Sequence, residues 1–202
     1  MKHYYTDNSD LKSEPRMIDY ECKHLKLQFK SDLGVFSKDK VDYGSNVLLK
    51  NIDNIKDNAT ILDVGCGYGP IGITLAKLYP NSKIDMIDVN NRALSLAREN
   101  IILNHIENRM NVYQSDGYNE VTTTYDVIVS NPPIRAGKEV VHRILEEAIQ
   151  HLNQNGSLWI VLQKKQGAPS AKKKMIDIFG NCEIVKRDKG YYLLVSYKNK
   201  KP

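Results

Sequence analysis

From residue 60 onward the chain alternates short apolar runs with longer amphipathic segments. Short apolar runs fit buried strands, and longer segments with helical spacing fit helices that pack against them. A repeated order of strand, helix and strand is typical of an α/β domain whose sheet is mostly parallel. The pattern predicts strands at 61–64, 84–89, 110–114, 125–130 and 157–163 and helices at 70–78, 90–103 and 139–152.

The pattern changes near the carboxyl end. Two apolar segments, 183–186 and 191–197, are separated by the polar link Arg187-Asp188-Lys189-Gly190. A short polar link that ends in glycine is typical of a β-hairpin, so the last two strands should be antiparallel. Residues 164–182 carry two lysine clusters, and no helix or strand is assigned to them from the pattern.

Residues 1–55 precede the predicted core. The segment from His24 to Phe29 alternates apolar and polar residues with period two, which predicts a strand. A helix is predicted from Ser45 to about Ile55. We therefore expect residues 1–55 to form an N-terminal extension packed on a core domain of residues 56–202.

A length of 202 residues fits one domain and is too short for two full catalytic domains. No window approaches the roughly 20 apolar residues of a membrane span. The first residues lack the apolar segment of a secretory signal, so we expect a cytoplasmic protein. The three cysteines have no C-x-x-C spacing and the five histidines form no H-E-x-x-H motif. These patterns argue against a disulfide framework and predict no metal site.

The net charge of +5 is unevenly distributed. From residue 151 onward 11 basic residues stand against 3 acidic ones, whereas residues 1–150 carry 18 basic and 21 acidic residues. A local excess of lysine attracts a polyanion such as RNA, because each phosphate contact releases condensed counterions. Lysine runs are also common on solvated surfaces, so charge alone leaves nucleic-acid binding open.

A glycine-rich loop, Gly65-Cys66-Gly67-Tyr68-Gly69, joins the first core strand to its helix. Free backbone N–H groups at a helix start can hold a ligand. The segment from Gly67 to Gly72 also satisfies G-x-G-x-x-G, with Asp88 in the acidic position of an NAD site. However, Asp63 stands two residues before Gly65, where a carboxylate would repel a pyrophosphate and suit a cationic ligand. An NAD-dependent oxidoreductase stays open as an alternative.

The acidic residue followed by G-x-G-x-G resembles the first motif of the class I S-adenosylmethionine-dependent methyltransferases. The resemblance implies that Gly65 and Gly67 let the backbone approach the cofactor and that Asp63 attracts its positively charged end. It also implies that Asp88 accepts hydrogen bonds from both ribose hydroxyls, a task that suits a carboxylate. Asp116, in the Ser-Asp-Gly segment after the third core strand, would bind the adenine amino group.

The tetrapeptide Asn131-Pro132-Pro133-Ile134 directly follows the predicted strand 125–130. Two prolines end the strand ladder and fix the direction of the backbone. An NH₂ group on an aromatic ring or an amide is a poor nucleophile because its lone pair is delocalised. The Asn131 side-chain oxygen and the Pro132 carbonyl could each accept one of its N–H bonds. Such positioning, with the nitrogen aimed at a methyl group, lowers the barrier to transfer.

This tetrapeptide resembles the catalytic N-P-P motif of amino-methyltransferases, whose fourth position is often aromatic and stacks on the target base. Ile134 lacks that stacking, which is worth about 1–3 kcal/mol per base. A nucleobase and a protein glutamine or small-molecule amine therefore both stay open as acceptors. Arg135 and Lys138 beside the motif, together with Lys164 and Lys165, favour a phosphate backbone over a neutral peptide. We predict that these four cations bind RNA.

Residues 20–197 resemble the catalytic half of the ribosomal RNA guanine-N2 methyltransferases of the RsmC type. Segments 34–39 and 42–45 resemble the block that precedes the glycine loop in that family. The resemblance implies a Rossmann-like sheet of seven strands in the order 3-2-1-4-5-7-6, with the seventh antiparallel and helices on both faces. It also implies S-adenosylmethionine as cofactor and guanine N2 of small-subunit (16S) ribosomal RNA as acceptor. A cofactor-binding RNA protein without activity is a further alternative, which the intact Asn131 disfavours. The sequence indicates neither the modified nucleotide nor the oligomeric state.

Overall fold

A computed structural model describes residues 13–132 and 137–199 of the chain. These residues form strands and helices that alternate along most of the sequence, with short 3-10 turns at 107–109, 149–151 and 164–166. In chain order the elements are β1 (Arg16–Cys22), β2 (Leu25–Ser31), α1 (Tyr43–Asn51), β3 (Thr60–Val64), α2 (Pro70–Leu78), β4 (Lys83–Asp88), α3 (Asn91–Leu103), β5 (Met110–Gln114), β6 (Tyr125–Ser130), α4 (Lys138–Ala148), β7 (Leu152–Gln163), α5 (Ala168–Phe179), β8 (Glu183–Asp188) and β9 (Tyr191–Tyr197).

Seven of these strands form one sheet in the order β5-β4-β3-β6-β7-β9-β8. Strands β5, β4, β3, β6 and β7 are parallel, and β9 is antiparallel to both of its neighbours. Counted from β3, this order is 3-2-1-4-5-7-6 with an antiparallel seventh strand. The predicted fold class and the predicted carboxyl-terminal hairpin are therefore confirmed.

Helices cover both faces of the sheet, which explains why its central strands are nearly continuous apolar runs. Along β6, Val127 and Val129 face a core cluster that they share with α1, α2 and α3. Ile128, between them, faces a second cluster that includes residues of α4 and α5. Successive residues of a strand point to opposite faces, so one apolar run supplies both cores.

Helix α5 corrects the sequence prediction, which assigned no element to residues 164–182. Its buried residues Ala168, Ala171, Met175 and Phe179 recur every three or four positions and pack in the second cluster. The run Lys172–Lys174 interrupts this stripe in the sequence and hides its helical period. These lysines lie on a helix that packs against the sheet, not in a polar tail.

Strand β1 is a second element that the sequence pattern missed. It pairs with β2 over its whole length, and Ile18, Tyr20 and Cys22 are buried on one face. Charged residues between these positions give the period-two pattern of a strand with one face in the core. The predicted strand 24–29 is thus the second half of a hairpin.

The predicted ends of three elements differ from the structure. Helix α1 ends at Asn51, because Ile52 has extended backbone angles. Helix α4 ends at Ala148 and is followed by a 3-10 turn, the tighter geometry that often closes a helix. Strand β7 begins at Leu152, since an irregularity in its pairing with β6 lets it extend past the predicted start.

Asn100 on α3 connects the β1–β2 hairpin to the core. Its amide nitrogen donates to the carbonyl oxygens of Lys30 and Tyr68, each at 2.9 Å, and its oxygen accepts from the Lys30 N–H at 2.6 Å. Asn100 is fully buried, and Tyr68 lies in the glycine loop. One side chain therefore joins β2, α3 and the loop before α2.

Within the described ranges, no helix is both long and apolar enough to cross a membrane. The same residues contain no group of three or more His, Cys, Asp or Glu side chains arranged to hold a metal ion. Cys22, Cys66 and Cys182 are free thiols.

We predict that Asn100→Ala lowers the free energy of unfolding by about 3 kcal/mol, because it leaves several buried backbone groups without hydrogen-bond partners. Chemical denaturation monitored by circular dichroism measures the change. Asn91→Ala, at an exposed position of the same helix, is the matched control and should change stability by less than about 0.5 kcal/mol. Equal stabilities of the two variants would contradict this role of Asn100.

Candidate active site

The predicted site residues follow strands of the sheet at one edge. Asp63 lies near the end of β3 and Asp88 ends β4. Asp116 follows β5 and Asn131 follows β6. Since these strands are parallel, their carboxyl ends meet at the same edge, where open α/β sheets bind ligands.

The glycine loop turns sharply at this edge. Gly65 and Gly67 have φ angles of 73° and 58°, in the left-handed region that favours glycine. The N–H groups of Gly65 and Cys66 both donate to the Ile87 carbonyl, at 2.9 and 3.0 Å. The loop is therefore fixed to β4, with its backbone close to the neighbouring strand.

Gly72, the last glycine of the G-x-G-x-x-G match, lies inside α2. A Cβ atom there would come within 2.5 Å of the Met86 sulfur and 3.2 Å of an Asp63 carboxylate oxygen. Only glycine lets α2 approach β3 and β4 this closely. Helix packing thus explains Gly72 without a dinucleotide ligand.

Asp88 fixes the glycine loop and the turn between β4 and α3. One carboxylate oxygen accepts from the Gly67 N–H at 2.9 Å, and the other accepts from the Asn90 N–H at 2.9 Å. The side chain is almost completely buried, and it borders a cleft of about 360 Å³ together with Asp116 and Val140. Asp88 holds the loop, and its predicted role toward a ribose stays a prediction.

Asp63 is a buried carboxyl group beneath the loop. One of its oxygens accepts from the Gly72 N–H at 2.9 Å, and the other has no hydrogen-bond partner. Burial raises the pKa of Asp63 to about 7, the Gly72 bond opposes this shift, and the Asp88 charge adds to it. The unpartnered oxygen suits a cation, because a positive charge nearby would favour the ionised form.

Asp116 lies in an exposed position at the wall of the 360 Å³ cleft. It forms an ion pair with Arg143 of α4, in which a second guanidinium N–H donates at 3.2 Å. The sequence did not predict Arg143 as part of the site, since nothing in α4 indicates which strand it faces. The predicted contact of Asp116 with adenine stays a prediction, and Arg143 limits where the carboxylate can point.

Asn131 is held by the start of α1. Its amide nitrogen donates to Asp42 Oδ2 at 2.8 Å and to Ser45 Oγ at 3.1 Å. The opposite orientation of the amide would set its oxygen against the Asp42 carboxylate, which is unfavourable. Both amide hydrogens are thus used, and the side-chain oxygen is the atom of Asn131 that can accept from a ligand.

Asp42 also caps α1, and the same oxygen accepts from the Gly44 N–H at 2.8 Å and the Ser45 N–H at 3.4 Å. Asp42, Ser45 and Asn131 line a cleft of about 430 Å³, together with exposed Phe36 and the glycine loop. Sequence reasoning did not assign a role to Asp42 or Ser45. Their spacing fits a helix N-cap, which was the available signal.

The other predicted residues are only partly described. Pro132 is buried directly after Asn131, whereas Pro133, Ile134 and Arg135 lie outside the described residues. Lys138 is exposed at the start of α4. Two further predicted cations, Lys164 and Lys165, are exposed in the 3-10 turn after β7.

Several known proteins are similar to this chain. Residues 26–195 match the family model of the methyltransferase small domain. Uncharacterized protein YbxB of Bacillus subtilis (strain 168) is 45% identical over 199 residues, which cover 98% of each chain. Ribosomal RNA small subunit methyltransferase C of Haemophilus influenzae (strain PittGG) is 40% identical over 132 residues, which cover 63% of this chain and 39% of the relative.

The fold is similar to the solved structure of the T. thermophilus 16S rRNA N2 methyltransferase RsmC in complex with AdoMet and guanosine. The TM-score is 0.81 at 22% sequence identity, with 94% of this chain and 52% of that chain covered. At this identity the likeness shows a common fold. The chain spans about half the length, or less, of the two named methyltransferases.

The raised pKa of Asp63 predicts a pH-dependent stability. Its pKa is about 7 in the folded chain, against a usual value of 3.8. Between these values the folded state keeps a proton that the unfolded state has lost. The resulting contribution to the free energy of unfolding is complete below about pH 3.8. It is lost as the pH rises to about 7, by up to about 1.4 kcal/mol per pH unit.

Urea unfolding of wild type and Asp63→Asn between about pH 5 and pH 8 measures this difference. The amide introduced by Asp63→Asn has no proton to lose, so the stability of wild type should fall relative to that variant as the pH rises. Asp177→Asn, at an exposed position of α5, is the control and should give a curve parallel to wild type. Parallel curves for both variants would contradict the raised pKa.

Proposed function

The chain belongs to the methyltransferase small domain family and is an S-adenosylmethionine-dependent methyltransferase, and we propose that it methylates the exocyclic N2 amine of a guanine in small-subunit ribosomal RNA. The observation that carries the proposal is the fixed orientation of Asn131. Its side-chain oxygen is left to accept a hydrogen bond from an NH₂ group, which favours such a group as the methyl acceptor. The name of the similar H. influenzae protein supports ribosomal RNA as the substrate. A cytoplasmic location follows from that substrate and is part of the proposal.

The residues around the glycine loop fit the cofactor. The loop backbone turns tightly at Gly65 and Gly67, and the cleft beside Asp88 and Asp116 is mostly apolar on its other walls. Asp88 would bind the ribose hydroxyls, Asp116 the adenine amino group, and the loop backbone the chain between them. The unpartnered oxygen of Asp63 fits the positively charged end, directly or through water. When bound, the cofactor supplies a methyl group on a cationic sulfur.

Asn131 and Pro132 would orient the acceptor amine. The Asn131 side-chain oxygen accepts one N–H bond and the Pro132 carbonyl accepts the other, which turns the nitrogen lone pair toward the methyl carbon. Transfer of a methyl group to that lone pair would leave the electrons of the broken S–C bond on sulfur. The amine then loses a proton to water, so no side chain is needed as a general base. Holding the reacting atoms about 3–3.5 Å apart supplies much of the rate acceleration.

Exposed cations at the same edge of the sheet as Asn131 support RNA as the substrate. Lys138 begins α4, and Lys164 and Lys165 follow β7 at the same edge of the sheet. Cations placed around a catalytic cleft bind phosphate oxygens and fix the register of a nucleic acid. Arg135, outside the described residues, belongs to the same proposed set. A protein glutamine is the alternative acceptor, because its side-chain NH₂ group offers the same two hydrogen bonds.

We predict that the purified chain incorporates labelled methyl groups into transcripts of small-subunit ribosomal RNA that contain guanosine. Transcripts with inosine in place of guanosine should stay unlabelled, because inosine lacks the N2 amine. Asn131→Ala should lower kcat about 100-fold through loss of positioning. Scintillation counting of the RNA and protein fractions measures the methyl incorporation, and its initial rate gives kcat. Equal labelling of inosine transcripts, or label in a protein fraction alone, would contradict guanine N2 as the acceptor.

A second prediction tests how Asn131 is oriented. Asp42→Asn keeps an oxygen within reach of the Asn131 amide, whereas Asp42→Ser caps α1 but is too short to reach it. Both variants should have melting temperatures near wild type, since Asn and Ser cap helices about as well as Asp. Only Asp42→Ser should lower kcat, by about tenfold, with an unchanged KM for RNA. Equal kcat values for the two variants would show that Asp42 acts only as a cap.

A further inference from the structure

An aromatic and basic surface lies beside the proposed catalytic cleft, and we call it the rim. Strand β8 is parallel to β7, because both are antiparallel to β9 between them. The turns after β6, β7 and β8 therefore lie at one edge of the sheet. The rim consists of Tyr43, Gln163, Lys164, Lys189 and Tyr191.

The side chains of the rim are fixed by contacts with one another. The rings of Tyr43 and Tyr191 lie 5.6 Å apart at an angle of 44°, and the Lys189 Nζ lies 5.2 Å from the Tyr43 ring centre. The Gln163 amide donates to the Tyr191 hydroxyl at 2.7 Å. The Lys164 N–H donates to the Gly190 carbonyl at 2.7 Å, which connects the two turns.

The rim directly adjoins Asn131. A Cβ atom added to Gly44 would lie 2.9 Å from a ring carbon of Tyr191 and 3.2 Å from the Asn131 side-chain oxygen. Tyr43 is the neighbour of Gly44 and of Asp42, which holds the Asn131 amide. A nucleotide whose base is bound at Asn131 would therefore place its neighbour in the RNA strand over the rim.

The turn that carries Lys189 is unusual for its residue type. Lys189 and Gly190 have φ angles of 42° and 83°, so both central residues of this two-residue hairpin turn are left-handed. Asn-Gly is the preferred pair in such a turn, and lysine is disfavoured at its first position. A disfavoured residue that places a cation over an aromatic ring is typical of a functional position.

We propose that the rim binds the unpaired nucleotide next to the target guanine: its base displaces Lys189 from the Tyr43 ring and stacks there, and its phosphate is contacted by Lys189 and Lys164. Tyr43 and Tyr191 are half-buried, and aromatic rings combined with cations are the elements that bind single-stranded RNA. Burial and then a hydrogen bond to the Asp188 carboxylate raise the pKa of the Tyr43 hydroxyl, which places that carboxylate next to the hydroxyl. This proposal rests on the proposed function, since it assumes that the acceptor is in RNA.

A matched pair of variants tests the role of Lys189. Arg187 lies over the Tyr192 ring at 5.1 Å, and Tyr192 packs on the opposite face of the sheet from Tyr191. Arg187→Asn thus removes the same charge two residues away, outside the rim. Lys189→Asn should keep or raise the melting temperature, because Asn suits the turn, and should weaken RNA binding about fivefold to tenfold. Lys189→Asn should also make the plot of the logarithm of the RNA association constant against the logarithm of the salt concentration less steep. The slope should change by about 0.7, the value for one phosphate contact.

Stacking is tested separately at Tyr43. Tyr43→Phe keeps the ring and should bind RNA like wild type, whereas Tyr43→Leu should raise Kd and KM roughly tenfold with kcat unchanged. Fluorescence anisotropy with a labelled single-stranded fragment of small-subunit ribosomal RNA, and methylation kinetics on the whole transcript, measure these values. If wild type methylates RNA, either of two results would overturn the proposal. One is an equal effect of Lys189→Asn and Arg187→Asn on RNA binding, and the other is an equal Kd for Tyr43→Leu and Tyr43→Phe. Failure of wild type to methylate any RNA would instead overturn the proposed function.

Discussion

The proposed active site depends on one carboxylate oxygen, Asp42 Oδ2. It accepts from the Gly44 and Ser45 N–H groups at the start of α1 and from the Asn131 amide at the end of β6. The same atom therefore begins a helix and sets which way the Asn131 amide points. Gly44 is required beside it, because any Cβ atom there would collide with Asp42 and Tyr191. The segment before the glycine loop thus completes the acceptor half of the site, and β1–β2 is joined to that loop through Asn100.

The cofactor half of the proposed site is built on two buried carboxyl groups. Asp88 uses both oxygens to hold backbone N–H groups, whereas Asp63 has one oxygen bonded to the first turn of α2 and one without a partner. Burial is the main reason why the pKa of Asp63 is high, and repulsion from the nearby Asp88 carboxylate raises it further. A bound cation relieves that repulsion. The site is therefore electrostatically matched to a positively charged ligand such as a sulfonium or an amino group.

The sequence predicted most of what depends on local periodicity and on positions at strand ends. Asp88, Asp116 and Asn131 each follow an apolar run, so the parallel topology alone brings them to one edge. Helix α5 was missed because Lys172–Lys174 interrupt its apolar stripe. Contacts between distant segments could not be predicted, since no pattern indicates that Asp42 faces Asn131, that Arg143 pairs with Asp116, or that Tyr43 meets Tyr191. Those contacts determine how the side chains of Asn131, Asp116 and Tyr43 are oriented at the proposed site.

We propose a single reaction at guanine N2 that uses a cofactor pocket, an oriented amide and an RNA-binding rim. Its most direct test is mass-spectrometric mapping of modified nucleosides in ribosomal RNA from cells that lack the protein. We predict that one N2-methylguanosine of the small-subunit RNA disappears, and that it returns when wild-type protein is supplied but not when Asn131→Ala is supplied. An unchanged set of methylated guanosines in those cells would contradict the account.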